Sequence, residues 1–241
     1  MDKSIALVTG ASQGIGRSIA IKFGREGYQM ILTGRNRQKL EETAAIIREA
    51  GGSDSLVVPA DLSDEQQIKN LVEQVRKKYD SVDVLVNNAG VMYLKPFLEM
   101  SMQEYDDMMQ INMRAVFMLT QALASGMVKN PAGGTIINIA SLAGKNGFKG
   151  GTGYASTKWA LRGFAQCLFQ ELREHDIRVV TIFPGSVDTA LNRGTFSATG
   201  TLPANKMQPE DIAEAAYLAV KMPARTMMSE IDMRPSNPRK S

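Results

Sequence analysis

Residues 4–16 read Ser4-Ile-Ala-Leu-Val-Thr-Gly-Ala-Ser-Gln-Gly-Ile-Gly16. The first six residues form a short apolar run without a 3.6-residue period, which predicts a buried strand. Three glycines follow, and an amphipathic helix is predicted from Arg17 to Glu26. Glycine permits a tight turn, and the N–H groups that open a helix attract an anion. The stretch therefore predicts a strand–turn–helix unit that binds a phosphate, although a purely structural turn stays open at this point. The spacing is G-x-x-x-G-x-G, and no Gly-Lys-Ser/Thr follows, so this is not a Walker A loop.

The rest of the chain repeats this alternation of apolar runs and helical patterns. Further strands are predicted at residues 28–33, 55–59, 82–86, 135–140, 177–183 and 228–233. Helices are predicted at 38–50, from 63 to 79, at 101–128, 153–174 and 209–221. This order predicts an α/β fold: a single-domain, Rossmann-like, doubly wound parallel sheet of about seven strands with helices on both faces. No linker or repeat interrupts it, so residues 1–241 are expected to form one dinucleotide-binding domain with a substrate loop at about 186–207 and a polar tail at 234–241.

Some finer features carry their own predictions. Ser63 is a plausible N-cap, and Ser101 with Glu104 matches a capping box. Cys167 lies between apolar residues in a helix and is expected in the core.

The composition excludes several classes of protein. The chain has 241 residues, a net charge of +3, one Cys and one His, which leaves no internal disulfide and no soft metal-ligand set, so no metal is expected. The charges are spread along the chain, which favours a small anionic ligand over nucleic acid. The N-terminus lacks a signal-peptide layout, and the apolar stretch 115–128 is too short to span a membrane. We expect a cytoplasmic protein with no membrane or nucleic-acid partner.

The unusual segments of the chain all follow predicted strands. In an open parallel sheet, ligands bind beyond the carboxyl ends of the strands. These segments are therefore expected at one edge of the sheet; they are 10–16, 34–37, 61–62, 87–90, Ser141 and 184–185.

The stretch 153–160, Gly-Tyr-Ala-Ser-Thr-Lys-Trp-Ala, places Tyr154 and Lys158 one helical turn apart. A phenol has an ordinary pKa of about 10. A neighbouring ammonium is expected to lower that pKa and so let Tyr154 exchange protons near neutral pH. The same spacing is common on surface helices, so the pair needs support from other residues.

Arg35 and Arg37 follow the second strand, where an acidic residue would bind the ribose 2′-hydroxyl of NAD. An arginine at this point accommodates the 2′-phosphate of NADP instead. We predict NADP(H) over NAD(H), the alternative being that both arginines are solvated residues at a helix start.

Together these motifs resemble the short-chain dehydrogenase/reductase family. The resemblance covers residues 4 to about 232 and rests on Thr9-Gly10-x-x-x-Gly14-x-Gly16, Asn87-Asn88-Ala89-Gly90, Ser141, Tyr154-x-x-x-Lys158 and Pro184-Gly185-x-x-x-Thr189. It implies an NADP(H)-dependent oxidoreductase that transfers hydride between nicotinamide and a carbonyl or secondary alcohol.

The resemblance also implies roles for single residues. Tyr154 would donate or accept the proton, Lys158 would lower the tyrosine pKa and bind the nicotinamide ribose, and Ser141 would hydrogen-bond the substrate oxygen. Asn112 would help to hold a water that returns protons to Lys158. The implied cofactor-binding residues are Gly10, Ser12, Gln13, Gly14, Ile15, Gly16, Arg35, Asp61, Leu62, Asn88, Ala89, Gly90, Tyr154, Lys158, Pro184, Gly185, Val187 and Thr189.

The substrate is less well defined by the sequence. Segments after the fourth, fifth and sixth strands offer a largely apolar lining, with Met92, Ser141, Leu142, Phe148, Tyr154 and Leu191 as the substrate-binding set and Tyr93, Leu94 and Phe196 as further candidates. A 3-oxoacyl thioester is compatible, as in the 3-oxoacyl-carrier-protein reductase-like branch. Other ketones, steroids, sugars and pterin-like compounds stay open, as does a non-catalytic NADP(H) sensor. Family resemblance implies a homodimer or homotetramer that uses helices 101–128 and 153–174.

Overall fold

The computed structural model describes residues 3–193 and 205–237, and these form a parallel sheet with helices on both faces. The sheet has seven strands in the order β3-β2-β1-β4-β5-β6-β7. The strands are β1 Ile5–Thr9, β2 Gln29–Gly34, β3 Leu56–Pro59, β4 Val84–Asn87, β5 Gly134–Ile139, β6 Ile177–Pro184 and β7 Glu230–Met233. The predicted fold class is confirmed, because each predicted strand occurs and all strand pairs are parallel.

The helices are α1 Gly14–Arg25, α2 Arg37–Glu49, α3 Glu65–Lys78, α4 Met102–Met109, α5 Ala115–Met127, α6 Thr152–Leu172, α7 Ala190–Arg193 and α8 Pro209–Lys221. A helix occurs at each predicted position, and α7 is an additional short helix in the predicted loop. Of the helices in the described part of the chain, none combines the length and the apolar character needed to cross a bilayer.

Two apolar cores cover the two faces of the sheet. Alternate side chains of a strand point to opposite faces, so Val8 and Leu7 of β1 enter different cores. One core joins the sheet to α1, α2 and α8, and the other joins it to α3 and α5. Burial on both faces explains why the strands read as continuous apolar runs in the sequence.

The helix starts test the predicted caps. The capping box of α4 is confirmed, since the Ser101 hydroxyl accepts from the Glu104 N–H while the Glu104 carboxylate accepts from the Ser101 N–H. Ser63 as the N-cap of α3 is wrong. Asp64 is the N-cap and accepts from the N–H groups of Gln66 and Gln67, because its carboxylate is one residue closer to the first turn.

The predicted helix 101–128 is interrupted by one π-helical turn, Gln110–Arg114, between α4 and α5. π-Turns place one extra residue in a helix and occur often at functional sites. Here the turn carries Asn112, which is 1% exposed.

Cys167 is exposed, so its predicted place in the core is wrong. The buried residues of α6 lie mainly in its N-terminal half, and its later turns present the Cys167 side to solvent. The predicted loop 186–207 contains α7 and a parallel bridge between Val187 and Met207, while residues 194–204, including Phe196, lie outside the described residues.

Candidate active site

A cavity of about 690 Å³ opens at the carboxyl edge of the sheet. Its walls come from the segments after β1, β2, β3, β4, β5 and β6, as the sequence predicts. The predicted residues that line it are Gly10, Ser12, Gln13, Gly14, Ile15, Arg35, Asp61, Leu62, Asn88, Ala89, Gly90, Met92, Ser141, Leu142, Phe148, Tyr154, Lys158, Pro184, Gly185, Val187, Thr189 and Leu191. In the described part of the chain, the predicted residues Gly16 and Asn112 do not line it, and neither do the further candidates Tyr93 and Leu94.

The glycine turn after β1 has the backbone conformation that its sequence predicts. Gly10 and Gly14 have φ angles of 67° and 55°, in the left-handed region that favours glycine. Gly16 does not line the cavity, and its contact with a cofactor stays a prediction. A Cβ on it would lie 2.3 Å from the Asn88 Nδ2 and 2.4 Å from the Gly10 carbonyl oxygen, so this glycine permits close packing behind the turn.

The start of α1 is suited to an anion. Its N-cap, Gln13, makes no side-chain cap hydrogen bond, and the first turn carries no acidic residue. The residues at this helix start, Gln13, Gly14 and Ile15, all line the cavity. A helix N-terminus of this kind fits a pyrophosphate.

Asn88 fixes the turn to the segment after β4. Its Nδ2 donates to the Thr9 carbonyl at 2.9 Å, and its N–H donates to the Thr9 hydroxyl at the same distance. The Thr9 hydroxyl in turn donates to the carbonyl of Val86. These bonds join two neighbouring loops into one rigid wall.

The far end of the cavity carries Arg35, Asp61 and Leu62. Arg35 is exposed and lies one residue beyond β2. The Asp61 carboxylate accepts from the N–H and hydroxyl of Ser63 and so is directed into its own turn. This end therefore offers a guanidinium to a ligand.

Ser141, Tyr154 and Lys158 meet at the other end of the cavity. The Ser141 hydroxyl lies close enough to the Tyr154 phenol to act on its pKa. The Lys158 Nζ lies 5.6 Å from the centre of the Tyr154 ring and donates to the carbonyl of Ile139 at 3.1 Å. Ser141 lies two residues after β5, whereas Tyr154 and Lys158 share one face of α6, so the predicted constellation occurs in three dimensions.

Burial dominates the titration of these two groups. Burial raises the pKa of Tyr154 to about 12, although the hydrogen bond from Ser141 acts in the lowering direction. Burial also lowers the pKa of Lys158 to about 8. The predicted lowering of the Tyr154 pKa by Lys158 is therefore wrong for these residues by themselves, since removal from water is the largest cause of the shift and Lys158 is not one of its causes.

Asn112 supports the site from behind. Its Oδ1 accepts from the Val91 N–H at 2.8 Å, and its Nδ2 donates to the Val91 carbonyl at 2.9 Å and to the Thr157 hydroxyl at 3.1 Å. The Thr157 hydroxyl donates to the carbonyl of Tyr154. Both amide hydrogens are used, so a water here would have to be held by a remaining oxygen lone pair or by the Asn112 backbone carbonyl.

The substrate end of the cavity is largely apolar. Met92, Leu142, Phe148 and Leu191 line it, and the last two are each 41% exposed. Tyr93 and Leu94 do not line it. They pack with Met108 and Tyr154 in a small core beneath the site.

Several lining residues were not predicted. They include Gly34, Ala60, Val91, Ile111, Ile139, Ala140, Ala143, Asn146, Gly147, Ser186 and Ala190. Most of them adjoin predicted residues at strand ends, so the rule that ligands bind beyond strand ends could have found them. The role of the Ile139 carbonyl as the acceptor for Lys158 could not be predicted from the sequence, because every residue type has the same backbone carbonyl. Within the described residues, no cluster of three or more His, Cys, Asp or Glu could hold a metal ion.

Comparison with known proteins gives a consistent result. The model of the family described as short chain dehydrogenase matches residues 4–200. An uncharacterized oxidoreductase of Staphylococcus saprophyticus is 34% identical over 235 residues, which is 98% of each chain.

Two solved structures are similar over almost the whole chain. A metagenomic short-chain oxidoreductase in complex with NADP is 34% identical, with a TM-score of 0.84 and coverage of 97% of each chain. A 3-ketoacyl-(acyl-carrier-protein) reductase from Brucella melitensis complexed with NADH is 28% identical, with a TM-score of 0.88 and coverage of 98% of each chain.

Proposed function

Because the chain belongs to the short-chain dehydrogenase family, we propose that it is an NADP(H)-dependent oxidoreductase that interconverts a carbonyl and a secondary alcohol. The observation that carries the proposal is the meeting of Ser141, Tyr154 and Lys158 in one cavity with an uncapped glycine turn. A protein that only bound the cofactor would have no need of the hydroxyl, phenol and ammonium at the other end.

The residues of the cavity would divide the work as follows. The glycine turn would hold the pyrophosphate of the cofactor, Arg35 the 2′-phosphate, and Lys158 the nicotinamide ribose. When bound, the cofactor supplies the hydride and, in its oxidised form, a positive charge beside the phenol. Tyr154 donates its proton to the carbonyl oxygen during reduction and accepts it during oxidation. Ser141 donates a hydrogen bond to the same oxygen and stabilises the charge that develops there.

Arg35 supports the choice of NADP(H) over NAD(H). It is the arginine at the end of β2 that lines the cavity, and the nearby Asp61 carboxylate already accepts two hydrogen bonds from Ser63. One similar structure carries NADP and another carries NADH, so the choice depends on this chain's own residues.

A 3-oxoacyl thioester is our preferred substrate class. The apolar substrate end of the cavity supports it, as does similarity to a 3-ketoacyl-(acyl-carrier-protein) reductase. The alternative is another ketone, including a steroid, sugar or pterin-like compound.

The Tyr154→Phe variant tests the proposal with a panel of carbonyl compounds and NADPH, followed at the nicotinamide absorbance. Removing the phenolic hydroxyl removes the proton donor, so kcat/KM should fall by roughly 10²- to 10⁴-fold, while NADPH binding measured by fluorescence should persist. An unchanged rate in this variant would refute the mechanism. NADPH binding without turnover of any compound by the wild-type protein would favour a sensor.

A further inference from the structure

Two basic side chains from the elements that carry the proposed catalytic residues converge on one carboxylate. Lys145 lies four residues after Ser141, and Arg162 lies four residues after Lys158. Both bind Glu230, the first residue of the edge strand β7. Lys145, Arg162 and Glu230 do not line the cavity themselves.

The contacts are short and directional. Arg162 binds Glu230 in a bidentate manner, with its Nε 2.8 Å from one carboxylate oxygen and a terminal nitrogen 3.1 Å from the other. The Lys145 Nζ lies 2.7 Å from Glu230 and 2.5 Å from Asp232. Bidentate arginine–carboxylate pairs fix orientation as well as distance.

The carboxylate is charged in the working pH range. Burial raises the pKa of Glu230, but the hydrogen bonds from Arg162 and Lys145 outweigh it and bring the pKa to about 2. The Phe183 ring, which is fully buried, lies beneath both cations, 4.2 Å from the Lys145 Nζ. The ion pairs are therefore partly shielded from solvent and hold better than pairs on an open surface.

The segment fixed in this way packs directly against α6. The turn that begins at Ser141 ends in Gly144, where a Cβ would lie 2.8 Å from the Lys158 carbonyl oxygen. Contact between the backbone of this turn and that of α6 leaves little space between them. The ion pairs through Glu230 join Lys145, just after this turn, to Arg162 in the middle of α6, so the turn cannot leave α6 without breaking them.

We propose that Glu230 is a positioning residue that, through Lys145 and Arg162, holds the Ser141 turn against α6 and so sets the separation of the Ser141 hydroxyl and the Tyr154 phenol. The inference rests on the proposed function, since it assigns Glu230 to the same reaction. Ser141 and Tyr154 must reach one substrate oxygen together, and small errors in such an alignment slow a reaction strongly.

Glu230→Gln is the main test, made in the full chain. It keeps the shape of the side chain and removes its charge. We expect kcat for carbonyl reduction to fall by roughly 10- to 100-fold. The KM for NADPH should change much less, because the glycine turn and Arg35 follow strands at the other side of the sheet from β7. Amide exchange of residues 141–148 should become faster. Glu214→Gln is the matched control. Glu214 lies on α8, does not line the cavity and forms an ion pair with Lys22 of α1 at 2.9 Å. This variant should keep the wild-type kcat.

Lys145→Met, alone and combined with Glu230→Gln in a double variant, shows whether Glu230 acts through Lys145. The double variant should be no slower than the slower single variant, because both changes break the same connection. Lys145→Met also serves as the test if Glu230→Gln does not fold.

A wild-type kcat and unchanged amide exchange in Glu230→Gln would overturn the proposal, as would a loss of thermal stability with no change in kcat. Failure of the proposed function gives a different pattern. In that case, Tyr154→Phe matches the wild type or no carbonyl is reduced, and the amide-exchange comparison still decides whether Glu230 holds the turn.

Discussion

Arg35 is the exposed side chain on which the proposed preference for NADP(H) depends. Charge-assisted hydrogen bonds to a phosphate contribute about 1.5–3 kcal/mol. Arg35→Ala should therefore raise the KM for NADPH by roughly 10- to 100-fold and leave the KM for NADH nearly unchanged. Steady-state kinetics with both cofactors measures this.

Arg37 offers the matched control for Arg35. It is also exposed, but it pairs with Glu41 at 3.4 Å and does not line the cavity. Arg37→Ala should have the smaller effect on NADPH. A wild-type preference for NADH, or an equal loss with both cofactors in Arg35→Ala, would contradict the assignment.

For single residues, the sequence predicts which side chains lie close together better than it predicts how deeply they are buried. Tyr154 and Lys158 are brought together by an i, i+4 helical spacing, which can be read directly from the sequence. Their pKa values depend on burial by residues distant in sequence, and for that reason the expected direction for Tyr154 was wrong. The predicted burial of Cys167 was wrong for a similar reason, because apolar neighbours along a helix do not show which side of the helix faces the core.

In the strand–turn–helix unit β1–α1, the packing of the turn depends on the absence of a side chain at Gly16. A methyl group there would meet the Asn88 amide and the Gly10 carbonyl. Gly16→Ala should lower the free energy of unfolding by about 1–3 kcal/mol and weaken NADPH binding, because the turn must move away from Asn88. Urea unfolding and cofactor titration measure the two effects.

Gly163 in α6 is the control for this substitution. It is also a helical glycine, but a Cβ there would meet nothing within 4 Å. Gly163→Ala should raise the free energy of unfolding by about 0.5–1 kcal/mol through helix propensity. If both variants behave alike, close packing at Gly16 is not what the turn requires.

The element boundaries show where local signals are sufficient. The Ser101–Glu104 capping box is a short-range pattern, and it was predicted correctly. The π-turn at 110–114 was not predicted. Asn112 in this turn bonds to Val91, which is 21 residues away in the sequence. The local sequence pattern does not show such a contact and therefore predicts an uninterrupted α-helix.

For the whole molecule, the alternation of strands and helices was sufficient to predict the sheet and the edge at which the site lies. Each loop after a strand could be placed because parallel strands end at one edge. The contacts of Glu230 could not be predicted. They join residues 68 and 85 positions apart, and a Glu in a weak edge strand has no distinguishing local pattern.

Binding of the cofactor should raise the stability of the whole molecule. The cavity joins the loops after β1 and β2 to those after β4, β5 and β6, so a full cofactor should contact both halves of the sheet. At a concentration 100 times its Kd, NADPH should stabilise the fold by about 2.7 kcal/mol. For a chain of this size that corresponds to a rise in Tm of roughly 5–10 °C. Adenosine 2′,5′-bisphosphate at the same concentration should raise the Tm less, because it reaches only the β1–β2 half. An equal rise with the fragment would show that the nicotinamide end makes no contribution to binding, contrary to the roles proposed for Lys158 and the Pro184-Gly185 turn.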